Sequence, residues 1–298
     1  MAIKEFLAEL SPKLRKTDLH PHTRILTLSL AGNLVTTFKG RGLEFEGYRQ
    51  YTPQDDAARI DWKASLRSQK LLVREYDVER NYYVFFLVDV SNSMLFSSVE
   101  KLKCEYSAEL VASISFAVLQ LDAGVGLGLF TDKINVHVKP QMGKKQYYLI
   151  TKELTNVNNY GGEFNLEESM KFLLSYLKQK TLIVIVSDFI GLKGNWFRYL
   201  EILSQRHEVI GMMIRDPRDR ALPEDAGQYI VEDPYSNEKL HIDVSQYRKA
   251  YEEHVKNEER IIKNKFTITK SDFLLLTTDN PFDKPLMRFF NRRGQKWR

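Results

Sequence analysis

Apolar residues follow two rhythms along this chain. From Tyr82 to Val88 they run almost unbroken up to Asp89, and Thr181 to Val186 repeats the pattern up to Ser187-Asp188. Continuous runs of this length predict strands buried on both faces. Between them, Leu102, Tyr106, Leu110, Ile114, Val118 and Leu121 recur at helical spacing, which predicts a helix from about Ser98 to Asp122 with one buried face. Val125 to Phe130 reads as a strand. Ile134, Val136 and Val138 alternate with polar residues, as an edge strand does. A helix is predicted over Lys145 to Thr155. Asn165, with Glu168 three residues on, opens another whose apolar face is Leu166, Met170, Leu173, Leu174 and Leu177. A helix from Trp196 to Gln205 leads into a strand from Val209 to Ile214, stopped by Asp216-Pro217. A polar hairpin region, a charged helix from about Val244 to Lys265, a short strand from Phe273 to Leu276 and a helix from Pro285 to Asn291 complete the chain.

Alternation of strand and helix builds a mostly parallel sheet flanked by helices, an α/β architecture. Its function is expected in the crevice at the carboxyl ends of the strands. The pattern shifts near residue 80. Residues 1–79 hold short, polar, Gly- and Arg-rich segments and are expected to form an N-terminal helix and a small β-rich module. Residues 80–298 carry the α/β domain.

Composition narrows the picture little. Of 298 residues, 43% are hydrophobic and 28% charged, so a packed core rather than disorder is expected, and a net charge of +5 permits an acidic partner without requiring one. Arg292, Arg293, Lys296 and Arg298 read as a solvated basic tail. The single cysteine, Cys104, forms no intrachain disulfide and is expected as a small buried apolar side chain. The N-terminal stretch lacks a signal-peptide pattern and no apolar run is long enough for a membrane span, so the cytoplasm is the expected location.

The chemistry concentrates at the strand ends. Asp89-Val90-Ser91-Asn92-Ser93 offers a carboxylate and two hydroxyls at alternating positions where a buried strand gives way to a helix. Short oxygen side chains on one tight loop suit a hard cation, which keeps several waters. Asp188 follows the second buried strand, and in a parallel sheet both strand ends lie on one edge. The competing reading gives Ser91 and Ser93 to capping the next helix and Asp89 to accepting backbone N–H groups there. Gly40, Gly42 and Gly47 are not followed by Gly-Lys-Ser/Thr, so nucleotide binding is not expected. The histidines show no metal-ligand spacing. His207 makes a poor triad with Ser187-Asp188. No basic stripe with interleaved aromatics precedes the tail, so nucleic-acid binding is not expected.

Asp89, Ser91 and Ser93 resemble the metal-ion-dependent adhesion site of von Willebrand A domains, and Asp188 resembles that site's distal aspartate. The resemblance implies a von Willebrand A-like (Rossmann-like) sheet holding Mg2+, or else Mn2+ or Ca2+. That family's loop threonine is replaced here by Glu163, in Tyr160-Gly161-Gly162-Glu163-Phe164. Glu163 is therefore a candidate ligand, or a stand-in for a partner's carboxylate. A second resemblance covers nearly the whole chain. Gly42 to Pro53, Asp55-Asp56, Arg59-Ile60-Asp61-Trp62, Ser65-Leu66-Arg67, Leu72 to Tyr76 and Glu79-Arg80, ahead of the Asp-x-Ser-x-Ser strand, resemble the bacterial family called DUF58. Gln54 and Ala58 depart from its usual glycine and arginine. Members of that family are often encoded beside MoxR-type AAA+ ATPases, which implies such an ATPase as the protein partner.

Asp55, Asp56, Arg59, Asp61 and Arg67 lie near Trp62 in sequence. They read either as an ion-pair network that fastens the module or as a docking surface for the partner. Three functions follow from the whole: a divalent-metal-dependent interaction module or adaptor without enzymatic activity; a phosphatase-like hydrolase using the same crevice, with Glu163 as base; and a metal-free scaffold.

Overall fold

The computed structural model describes residues 45–52, 55–57, 60–76, 82–223, 227–236 and 238–296. Its N-terminal elements are β1 (Phe45–Gln50), α1 (Trp62–Ser68) and β2 (Leu72–Tyr76), with β1 and β2 paired antiparallel. Then come β3 (Tyr83–Asp89), a 3-10 turn (Asn92–Leu95), α2 (Lys103–Leu119), β4 (Gly124–Phe130), β5 (Ile134–Gln141) and α3 (Lys144–Leu154). The remainder is α4 (Leu166–Tyr176), β6 (Leu182–Ser187), α5 (Trp196–Arg206), β7 (Glu208–Arg215), α6 (Pro217–Arg220), β8 (Gln228–Glu232), β9 (Lys239–Asp243), α7 (Val244–Ile268), β10 (Asp272–Thr277) and α8 (Asp283–Lys296).

The central sheet has six strands in the order β10-β7-β6-β3-β4-β5, parallel except for β5. It is the mostly parallel, helix-flanked sheet that the strand-helix alternation predicts. The unbroken apolar runs have a physical reason. On β3, Val84, Phe86 and Val88 face one core and Phe85 and Leu87 the other. On β6, Leu182, Val184 and Val186 divide from Ile183 and Ile185 in the same way. β5 alternates half-buried and exposed positions, as its sequence predicts. Gly126 on β4 leaves room for a neighbour: a Cβ there would stand 2.7 Å from Phe85 Cδ2 and 2.8 Å from Pro140 Cγ.

Two expectations need correction. The helix predicted from Ser98 begins at Lys103, because Ser98 gives both its backbone N–H and its hydroxyl to the buried Asp216 carboxylate instead of entering a helix. The basic tail is not simply solvated. Arg293 lies on α8, buried, with its guanidinium 2.6 Å from Glu208 and 3.1 Å from Asp272.

From β3 the chain moves outward through β4 to β5, then returns to place β6, β7 and β10 on the other side. The strand order therefore reverses between β3 and β6. In open α/β sheets ligands gather at such a switch point, beyond the carboxyl ends of the strands.

Candidate functional site at the switch point of the sheet

Asp89 ends β3 and Ser187-Asp188 ends β6, so the reversal brings two acids and a hydroxyl to one edge. Asp89 is fully buried. Its Oδ1 accepts the Ser91 N–H at 2.9 Å and its Oδ2 accepts the Ser187 hydroxyl at 2.6 Å. Burial first, and the charge of Asp188 second, push the Asp89 carboxyl up to about 7 against the pull of those hydrogen bonds.

Asp188 is also fully buried. Its Oδ1 accepts the Ile190 N–H at 2.9 Å and its Oδ2 meets the Lys103 ammonium at 2.7 Å. Between them, Phe189 is held at φ +56, a costly left-handed conformation for a bulky residue. The Ser187 hydroxyl accepts its N–H, and its ring packs edge-on against Phe266.

Lys103 was not legible as a site residue. At the start of α2 its side chain is 1% exposed, and its ammonium is shared between Asp188 and Asp219, both at 2.7 Å. Burial works against its charge, but the two carboxylates win and hold its pKa above the ordinary lysine value. Burial raises Asp219.

The serine hydroxyls do not cap a helix. Ser91 precedes the 3-10 turn without a side-chain cap hydrogen bond. Instead Ser91 Oγ and Ser93 Oγ lie 3.4 Å apart, and the Tyr235 phenol oxygen stands 3.2 Å from the first and 3.0 Å from the second. Tyr235 also went unrecognised in the sequence. It sits at the tip of the β8-β9 hairpin, where Asp233 accepts the N–H groups of Tyr235 and Ser236. The tip docks on the loop through Asn92 Nδ2, which donates to the Pro234 carbonyl at 3.1 Å. The tyrosine ring lies against Gly191, whose added Cβ would be 3.1 Å from it. The strands behind the tip are largely exposed, with Ile230 at 59% and Leu240 at 65%. Burial pushes the Tyr235 phenol up, with Asp89 and Asp188 adding to the shift.

Glu163 is exposed and makes no hydrogen bond or ion pair among the described residues. Its neighbours face the site: the Gly161 N–H donates to the Val90 carbonyl, and Gly162 exchanges hydrogen bonds with Asn92. His207 precedes the amino end of β7, at the opposite edge of the sheet from Ser187, so no triad forms.

The donor set suits a hard cation. Asp89 and two serine hydroxyls are short oxygen donors on one tight loop, and each carboxylate oxygen keeps a lone pair beyond its present hydrogen bond. Among the described residues no group of three or more His, Cys, Asp or Glu is placed to hold a metal, so an ion here would rely on serine and water.

The N-terminal cluster is looser than predicted. Asp55 pairs bidentately with Arg49, both contacts at 2.6 Å, and accepts the Thr52 N–H. The Arg49 hydrogen bond, then those of Thr52, hold its carboxyl well below the usual range. Asp61 caps α1 through the Lys63 and Ala64 N–H groups and accepts the Tyr48 hydroxyl. Trp62 is 62% exposed and does not centre a network; Asp56 and Arg67 are also exposed, and Arg59 lies outside the described residues. No helix among the described residues is long and apolar enough to cross a membrane.

A family model described as "Protein of unknown function DUF58" matches residues 47–261. The chain is 28% identical over 213 residues to an uncharacterized protein of Mycobacterium bovis, a match covering 70% of this chain and 65% of the relative. It thus spans just under two thirds of that relative's length. YeaD of Bacillus subtilis is 33% identical over 88 residues, 30% of this chain and 20% of that one. Among solved structures, the conserved hypothetical protein BatB from Bacteroides thetaiotaomicron aligns with TM-score 0.44 and 14% identity, covering 72% of this chain and 99% of that chain. A von Willebrand factor type A domain from Catenulispora acidiphila aligns with TM-score 0.33 and 10% identity, covering 48% and 35% respectively.

Proposed function

The chain belongs to the DUF58 family, and on that premise we propose that it is a divalent-cation-dependent protein-interaction module whose metal position is closed by its own tyrosine. One observation carries the reading. Two serine hydroxyls on the Asp89 loop aim at a single point, and an oxygen delivered from another part of the chain, Tyr235 Oη, reaches that point. Mg2+ would be held by Asp89, Ser91 and Ser93, with Asp188 acting through water. When bound, the ion supplies an open coordination position for a partner's carboxylate. The phenol stands where that carboxylate would approach, so the described conformation is the closed one. The partner proposed is a MoxR-type AAA+ ATPase, as the family resemblance implies, and the setting proposed is the cytoplasm.

One observation favours a second reading, the metal-free scaffold. The Lys103 ammonium already neutralises Asp188 from inside the protein. Nothing in the geometry favours a hydrolase, because Glu163 is exposed and His207 lies at the far edge.

Calorimetric titration with MgCl2 and MnCl2 separates the two readings. The wild-type chain should bind weakly, Tyr235→Phe about tenfold more tightly, and Asp89→Asn not at all while keeping its circular dichroism. Absence of heat from both the wild-type protein and Tyr235→Phe leaves the scaffold reading standing and removes the cation.

A further inference from the structure

β10 is an outer strand of the central sheet, paired only with β7 among the described residues. Alternate residues of such a strand turn N–H and C=O groups away from the sheet, and an unprotected edge of this kind is a template for another strand. Proteins commonly blunt such edges with short length, charge or proline. Here Phe273, Leu274 and Leu275 are only half buried, and two cavities of about 490 and 670 Å3 run along the strand, sharing Leu275, Pro285 and Arg288. They form one groove, walled by α7 on one side and α8 on the other, with tyrosine and proline side chains at its far end.

The rim is basic. On α7, Lys256, Arg260 and Lys263 recur at helical spacing, and on α8 Arg288 and Arg292 stand one turn apart. All five are exposed. Lys263, Arg288 and Arg292 make no ion pair among the described residues. Two acids line the groove beside these cations: Glu259, already engaged by Arg220, and Asp283 at the start of α8. Unpaired cations above an apolar, hydrogen-bonding floor define a partner by charge and by shape.

We propose that this groove binds an extended acidic peptide segment of a partner protein, which adds a strand to β10. Backbone hydrogen bonds to the edge supply affinity, the apolar positions of the peptide rest on Phe273 and Leu275, and its acidic positions meet the α7 and α8 cations. The open strand edge favours a peptide over a nucleic acid, whose phosphates would use the cations and leave the backbone groups unanswered. The inference is independent of any metal at the switch point.

Fluorescence polarisation of the full chain tests it, using labelled peptides about as long as β10 that alternate glutamate with valine. Binding should weaken with salt and fall about tenfold or more in Arg288→Glu/Arg292→Glu. It should fall similarly when alternate peptide nitrogens are methylated, because that removes donors without touching charge. Thermal melts of the double variant should match the wild type, since both arginines are exposed. The proposal is overturned if glutamate peptides fail to bind at about 1 mM, if alternating lysine-valine peptides bind equally well, if methylation has no effect, or if single-stranded DNA binds more tightly than the acidic peptides.

Discussion

Replacing Lys103 by methionine is the sharpest perturbation available in this molecule. The lysine side chain is 1% exposed and shared by two carboxylates, Asp188 at 0% and Asp219 at 9% exposure. Methionine keeps the length of the stem but leaves both acids without their cation. Breaking a buried ion pair by removing one partner costs about 3–5 kcal/mol, and two orphaned carboxylates place this site in the upper part of that range, about 4–5 kcal/mol. Against a total stability of about 5–15 kcal/mol, that is a third or more. With a urea slope of about 3 kcal/mol/M, the midpoint should fall by about 1.5 M. Adding Asp219→Asn to Lys103→Met should recover part of the loss by removing one orphaned charge, so the two substitutions are coupled rather than additive. If Lys103→Met costs under about 1 kcal/mol with an unchanged slope, the ammonium does not compensate these acids and the electrostatic account of the site fails.

Three further outcomes are expected. Gly211→Ala on β7 puts a methyl 2.7 Å from two carbons of the Phe266 ring and should cost about 1–3 kcal/mol by chemical denaturation. Gly191→Ala combines φ +81 with a 3.1 Å approach to the Tyr235 ring; it should cost about 1–2 kcal/mol and speed proteolytic nicking within residues 228–243. His207 titrates below the ordinary histidine value because burial, then the charge of Arg206, disfavours its protonation. Its unfolded form therefore binds the proton more readily, so this contribution to stability is complete above about pH 6.5 and lost as pH falls below it. His207→Gln should flatten the dependence of the urea midpoint between about pH 5 and 7.

The sheet was legible because double-sided burial forces unbroken apolar runs, and β3 and β6 obey that requirement. Their ends located Asp89 and Asp188 as well, since a strand that stops on a carboxylate stands out against its apolar run. Lys103 and Tyr235 were hidden for the opposite reason. Lysine at the start of a helix and tyrosine in a polar turn are ordinary locally, and the groups they meet at the site lie far off in sequence: Asp188 is 85 residues from Lys103, and Ser93 and Ser91 are 142 and 144 residues from Tyr235. Apolar spacing sets the start of α2 only loosely, and it does not reveal that Asp216, 118 residues beyond Ser98, holds that serine outside the helix. Proximity in sequence does not make a network of the acids near Trp62, because Asp55 turns back to Arg49 and Asp61 caps a helix.

Tyr235 joins Ser91 across 144 residues of chain, and Asp89 joins Ser187 across 98. Loop closure over such spans is entropically costly, so the oxygen cluster should complete only late in folding, after both halves of the sheet have met. The same arrangement divides the cluster in the folded protein. The hairpin is a two-stranded ribbon, too small to hold its own shape unaided, and the described contacts that seat it at the cluster are few. Hydrogen exchange should therefore release the hairpin amides through a small local opening while those of β3 and β6 wait for global unfolding, so a single native-state experiment would register two separate lifetimes at one cluster of oxygens.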